Sequence, residues 1–196
     1  METLANTKHV TNTNKLANTN KLANAKALTN TKALASTKAL ASTNLTLPVM
    51  RKLDLIVIHC SATRSNVSFS PSALDDCHRK RGFKGCGYHF YITRDGLVHA
   101  MRPVHLVGAH ARGYNAHSIG ICYEGGLDPQ GKPADTRTLK QKSILHSLVG
   151  RLKKEFGITR VVGHRDLSPD RNGDGRITPD EWLKQCPSFD VSKEDY

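Results

Sequence analysis

The chain has 196 residues, and 29 Lys and Arg against 17 Asp and Glu leave a formal charge of +12. That balance favours an anionic partner, either nucleic acid or a cell-wall polymer. There is no basic stripe interleaved with aromatics and no helix-turn-helix signal, so nucleic acid is set aside; no apolar run is long enough for an integral membrane segment.

Residues 1–49 are low-complexity, and Leu16, Leu22, Leu28, Leu34 and Leu40 recur every six residues. A six-residue period fits neither a helix face nor a heptad. One Leu in six buries too little surface to offset ordering entropy, so this tail is expected to be disordered or weakly helical. Residues 50–196 suit one domain with one core. The five cysteines, at 60, 77, 86, 122 and 186, do not form a disulfide framework, although a Cys77–Cys86 bridge stays open. The N-terminus lacks the apolar stretch of a signal peptide, so synthesis in the cytoplasm is expected, with action on the cell wall after release or export.

Within the domain, residues 54–60 read as a buried strand. Ser70-Pro71 starts a helix that runs to Gly82, and its last turn, His78-Arg79-Lys80-Arg81, is read as cations suited to the helix dipole. Tyr88–Ile92 and Leu97–Met101 read as two strands joined by an Asp95-Gly96 turn. A loop, 108–115, leads into a strand from Ser118 to Tyr123. The longest helix is placed at 136–156, with Leu139, Ile144, Leu145, Leu148, Val149, Leu152 and Phe156 as its apolar face and Gly157 as its cap. Arg160–Gly163 is the last strand. This order predicts an α/β fold: a central mixed β-sheet flanked by helices.

Three residues stand where chemistry is expected. His59 and His164 each close an apolar strand, and Cys186 stands before Pro187 after a short stretch read as helical. Two imidazoles and a thiolate suit zinc, and three protein ligands leave one position open, as in catalytic sites. Each histidine also reads as a buried side chain satisfied by one hydrogen bond, and Cys186 as a small core residue. Cys60 points to the face opposite His59 and is read as core. Between His164 and Cys186 the segment Asp170-Arg171-Asn172-Gly173-Asp174-Gly175, ending at Glu181, matches a calcium-loop pattern, with Asp170, Asn172, Asp174, Arg176 and Glu181 as candidate ligands. Thr178-Pro179-Asp180-Glu181 is equally a helix-capping box. Calcium, or the loop alone, is the expected support for the segment that carries Cys186.

Ordered motifs add a resemblance. His59-Cys60-Ser61-Ala62-Thr63, Gly87-Tyr88-His89-Phe90, Gly108–Asn115, Ser118-Ile119-Gly120-Ile121 and Cys186-Pro187-Ser188-Phe189-Asp190 together resemble the phage-lysozyme type of N-acetylmuramoyl-L-alanine amidase, a family that includes the peptidoglycan recognition proteins. The resemblance spans about residues 53–190. It implies a groove on one face of the sheet that holds zinc on His59, His164 and Cys186, with Tyr88 and Lys184 as catalytic groups and peptidoglycan or a muropeptide as substrate. His110 and Asn115 fall where substrate contacts are expected. Some relatives carry a glutamate, a candidate base, where this chain has Cys122. Glu124 shares that face and reads either as that base or, in preference, as an exposed strand-end carboxylate. The alternative function is a non-catalytic peptidoglycan-binding module, which in this family lacks the zinc cysteine.

Overall fold

A computed structural model describes residues 51–196. The low-complexity segment 1–49 lies outside the described residues. Among the described residues there are seven strands and two α-helices: β1 Leu55–Cys60, β2 Thr63–Arg64, α1 Pro71–Lys80, β3 Phe90–Ile92, β4 Val98–Ala100, β5 Ser118–Tyr123, β6 Gly126–Leu127, α2 Leu139–Phe156 and β7 Arg160–Gly163. The main sheet has the order β4-β3-β5-β1-β7. The β3–β4 pair is antiparallel and the other pairs are parallel, so the sheet is mixed, as expected.

β1 lies between two parallel neighbours, and all six of its residues are buried. That explains its unbroken apolar run: a central parallel strand has no face to give to water. Each such aliphatic side chain contributes about 1.5–3 kcal/mol on burial. β2 and β6 form a small parallel pair, Thr63 opposite Gly126, that continues β1 and β5 beyond the main sheet. At two residues each they are too short for a sequence pattern.

The helix ends follow local chemistry. The Ser70 side chain accepts from the Ala73 amide at the start of α1. For α2 the cap is Thr138, in a reciprocal capping box with Gln141, and Gly157 closes the helix at φ 67°. The helix therefore starts later than residue 136, and Leu139 is 86% exposed rather than part of the apolar face. Six residues before Leu145, Leu139 sits about 120° around the helix from it. The buried stripe is Leu145, Leu148, Val149 and Leu152, extended by Gln141, whose amide donates to the Ile92 and Glu124 carbonyls.

Three further expectations are corrected. Glu124 is not exposed: it is 3% accessible and accepts from the Phe69 amide at 2.7 Å and the Arg94 amide at 2.9 Å. A carboxylate held by two amides and faced by Arg94 at 3.5 Å is an anchor for two loops. His78 is no helix-end cation. It is buried, its Nδ1 accepts from the Gly87 amide, and burial lowers its pKa. It stands four residues after Leu74 and so shares that residue's buried side. Finally, the short helix before Cys186 is absent. Thr178–Trp182 makes one turn, and the Leu183 amide then bonds to Ser168 Oγ instead of continuing a helix. A single turn with Pro187 close behind it leaves too little chain to propagate.

Candidate metal centre

The sheet register brings the two histidines together. Ile58 on β1 lies opposite Gly163 on β7. The residue after each is a histidine, so His59 and His164 leave adjacent strand ends side by side, with ring centroids 4.6 Å apart. Cys186 arrives from the C-terminal segment. Its carbonyl accepts from the Arg165 amide at 2.8 Å, and the following Pro187 carbonyl accepts from the Tyr123 hydroxyl at 2.7 Å. Pro187 rests against Gly163, where an added Cβ would come within 2.7 Å of its ring.

Donor atoms of His59, His164 and Cys186 lie within 4.8 Å of one another, the one such His/Cys/Asp/Glu set among the described residues. His59 Nδ1 is 3.7 Å from Cys186 Sγ. Tetrahedral zinc, with bonds near 2.0 Å to nitrogen and 2.3 Å to sulfur, sets such a pair about 3.5 Å apart. Burial, reinforced by neighbouring cations and imidazoles, holds His59 well below its ordinary pKa, and burial with Lys184 brings His164 to about 4. Both rings are therefore neutral at physiological pH, the form that ligates metal. The Cys186 thiol is pushed up by its contact with the Cys60 thiol and by burial, against the Cys60 amide 3.3 Å from Sγ. A cation in the site is what makes a thiolate favourable there. Cys60 is buried, in keeping with its reading as core, and meets Cys186 through both its amide and its thiol.

His110 completes the arrangement from behind. Its Nδ1 is 3.1 Å from His59 Nε2, and its Nε2 is 3.5 Å from Ser118 Oγ, which donates to the Tyr114 carbonyl. For His59 Nδ1 to face Cys186 with a lone pair, Nε2 must carry the proton and donate it to His110. This is the outer-shell partner that metal-bound histidines have. The His110 ring lies flat against β5 because Gly120 has no side chain: a Cβ there would come within 2.5 Å of the ring. Asn115 does not reach the cleft lining. Its side-chain oxygen accepts from the His110 and Ala111 amides and so fixes the loop that carries His110.

A cleft of about 480 Å³ opens above this centre, lined among others by Tyr88, His78, His110, His164, Lys184 and Cys186. The Tyr88 ring stands 4.9 Å from that of His59 and packs on Leu74, Cys86, Tyr91 and Cys122. Burial raises its pKa well above the ordinary value, so the phenol stays protonated. Cys122 is fully buried and its thiol is raised well above its ordinary value by burial, so it offers no base, and the Glu124 carboxylate is engaged by the Phe69 and Arg94 amides.

A model of the family described as N-acetylmuramoyl-L-alanine amidase matches residues 49–181. This chain belongs to the N-acetylmuramoyl-L-alanine amidase family. The amidase is 36% identical to the endolysin of Klebsiella phage KP32 over 138 residues, covering 70% of this chain and 82% of that protein. Among solved structures, the amidase LysC from Clostridium intestinale URNW superposes with a TM-score of 0.56 at 29% identity, covering 74% of this chain and 82% of the other. A bumblebee peptidoglycan recognition protein, PGRP-SA, shares the fold at 24% identity and a TM-score of 0.53, covering 69% and 75%. The family match includes both histidines and ends five residues before Cys186, so the third donor rests on the geometry above.

The segment between His164 and Cys186 in this amidase is held from outside the calcium-like loop. The Arg165 guanidinium stacks on Trp182 at 4.0 Å and pairs with Asp166 and Asp190. Arg137 covers the Phe189 ring at 3.2 Å and pairs with Asp135 and Glu194. Within the loop, Glu181 accepts from the Arg171, Asn172 and Thr178 amides, Asp170 from Gly173 and Gly175, and Asp174 from Arg176. The three carboxylates turn to main-chain amides and do not gather as the donors of His59, His164 and Cys186 do.

His110 and His78 are the site residues whose roles the sequence reading missed. His78 has a local signal, the i to i+4 step from Leu74; His110 has none, since its role depends on β5 lying under it. His110→Ala is expected to weaken zinc affinity about 10- to 100-fold, because His59 then loses the partner that fixes its tautomer. Competition against a metal chelator reads this directly. An affinity within twofold of the parent would detach His110 from the metal centre.

Proposed function

We propose that this amidase uses zinc to hydrolyse the bond between the lactyl carboxyl of N-acetylmuramic acid and the first L-alanine of the peptidoglycan stem. The observation that carries this is the convergence of His59, His164 and Cys186 donors within 4.8 Å beside a cleft lined by Tyr88 and Lys184. When bound there, zinc supplies Lewis acidity toward the scissile carbonyl and toward water. The protein's own residues do the rest. Tyr88, held protonated by its surroundings, donates a hydrogen bond to the oxyanion as it forms. Lys184 brings a positive charge to the same end of the cleft and assists proton transfer to the leaving amine. His110 keeps His59 in the ligating tautomer. The KP32 endolysin and LysC support this substrate class, and a retained zinc cysteine favours an enzyme over a binding module.

The test is metal removal with a defined muropeptide. Chelator-stripped protein is expected to release no stem peptide, and one equivalent of zinc to restore release, read by mass spectrometry of the two products. Full turnover in metal-free protein, or cleavage of a glycosidic bond instead, would overturn the proposal.

A further inference from the structure

The Cys60 thiol stands beside the metal centre, and the amide hydrolysis gives it no task. It is enclosed on three sides. An added Cβ at Gly126 would come within 2.4 Å of the Cys60 sulfur, so the missing side chain there leaves the room that the thiol fills. Ser188 Oγ stands 3.8 Å from the same sulfur. The third side is Cys186. Its sulfur lies 3.3 Å from the Cys60 amide nitrogen and 4.0 Å from the Cys60 carbonyl oxygen, and the two thiols touch.

Neither sulfur rides on a loose segment. Cys60 is the last residue of β1, opposite Tyr123 on β5. The Cys186 carbonyl accepts from the Arg165 amide, and the Pro187 carbonyl accepts from the Tyr123 hydroxyl. The contact between the two sulfurs is therefore set by the fold. The other three cysteines are placed differently. Cys86 and Cys122 pack with Leu74 and Tyr91 in the core, and Cys77 lines a separate hollow along α1. Of the five, Cys60 and Cys186 alone line the cleft, where a small molecule can reach them.

We propose that Cys60 and Cys186 are an oxidation site, converted in the zinc-free protein to a reversible disulfide by a small-molecule disulfide such as oxidised glutathione. One cysteine sulfur attacks the small disulfide and releases one reduced thiol. The second cysteine sulfur attacks the resulting mixed disulfide and releases the other. Two electrons pass from the protein sulfurs to the oxidant, and the two cysteine protons end on the two released thiols. A disulfide sets its Cβ atoms about 3.5–4.5 Å apart. With the Cys186 sulfur already at the Cys60 amide, that bond is within reach of side-chain rotation.

The bond and the metal exclude each other, a consequence that rests on the zinc reading of the site. A disulfide sulfur carries no thiolate charge, so oxidised Cys186 is lost as a donor. Zinc on Cys186 in turn occupies the sulfur that must react. Cys60, although no ligand itself, thereby makes metal loading conditional on reduction.

The test treats the full chain with oxidised glutathione, zinc-free and zinc-loaded, and then maps its thiols by alkylation and mass spectrometry. The zinc-free parent is expected to lose two hydrogens and to yield one cross-linked fragment pair, holding Cys60 and Cys186. It should then take up no zinc until a dithiol reductant restores its five free thiols. Saturating zinc should slow the cross-link about tenfold or more. Cys60→Ser should form no internal disulfide and carry glutathione on Cys186 instead. A zinc-free parent that keeps both thiols, stops at mixed disulfides or links other cysteines would overturn the oxidation site. A cross-link that forms equally fast with zinc bound would overturn the exclusion. Reduced parent that binds no zinc would strike the metal reading instead, and the cross-link would still be judged by its own mass.

Discussion

Cys186→Ser is expected to release zinc from the purified protein and to lower turnover on the order of 10³-fold, a loss of about 4 kcal/mol in transition-state stabilisation. The change replaces one sulfur with one oxygen and leaves the neighbouring supports alone. Those supports act on the main chain, from Arg165 to the Cys186 carbonyl and from Tyr123 to the Pro187 carbonyl, or on Phe189 through Arg137. The folded structure should therefore persist, with a melting temperature close to that of the metal-free parent. The donor set is what changes: an alcohol does not ionise readily and is a poor match for zinc beside two imidazoles. Cys60→Ser is the control: it alters the thiol that touches Cys186 but leaves the three donors in place, and it should keep zinc. Elemental analysis of both variants, beside stem-peptide release, decides the matter. A Cys186→Ser protein that holds one zinc and turns over like the parent would sink the three-donor assignment.

How far the molecule was legible in its sequence depends on how local each cause is. β1 and β5 read correctly because central parallel strands are apolar along their length, and Ser70, Gly96 and Gly157 act on their nearest neighbours. The start of α2 was misplaced because Leu139 looks like part of the stripe until the Thr138 capping box sets the phase. Glu124 and His78 were misread for a related reason. Charged and titratable residues at element ends default to solvent, and only the return of distant backbone, from Phe69 and Arg94 in one case and Gly87 in the other, shows them to be buried. At the metal centre, His59 and His164 were each suspect as residues closing a strand. Their adjacency is a property of the β1–β7 register, which no local pattern encodes. Cys186 was a candidate by donor chemistry, and the resemblance gave it its role. The structure adds contacts that hold it in place, from Arg165, Tyr123 and Arg137.

Tyr88→Phe is expected to cut kcat about 10²- to 10³-fold at unchanged zinc content, with KM close to the parent's. The ring does structural work that phenylalanine can inherit: it packs on Leu74, Cys86, Tyr91 and Cys122 and meets the His59 and His78 rings at 4.9 and 5.2 Å. What the variant lacks is the phenolic proton. In the parent that proton is secure, since burial and the surrounding thiols raise the pKa well above 10. A protonated phenol is a donor throughout the working pH range and is no base. Its benefit appears as negative charge builds on the carbonyl oxygen and is small while substrate is merely bound, so the loss should fall on kcat. Equal zinc in parent and variant separates this from damage to the metal centre, which His110→Ala would show instead. A Tyr88→Phe enzyme within threefold of the parent would remove the phenol from oxyanion stabilisation and leave Lys184 as the charged group at that end of the cleft.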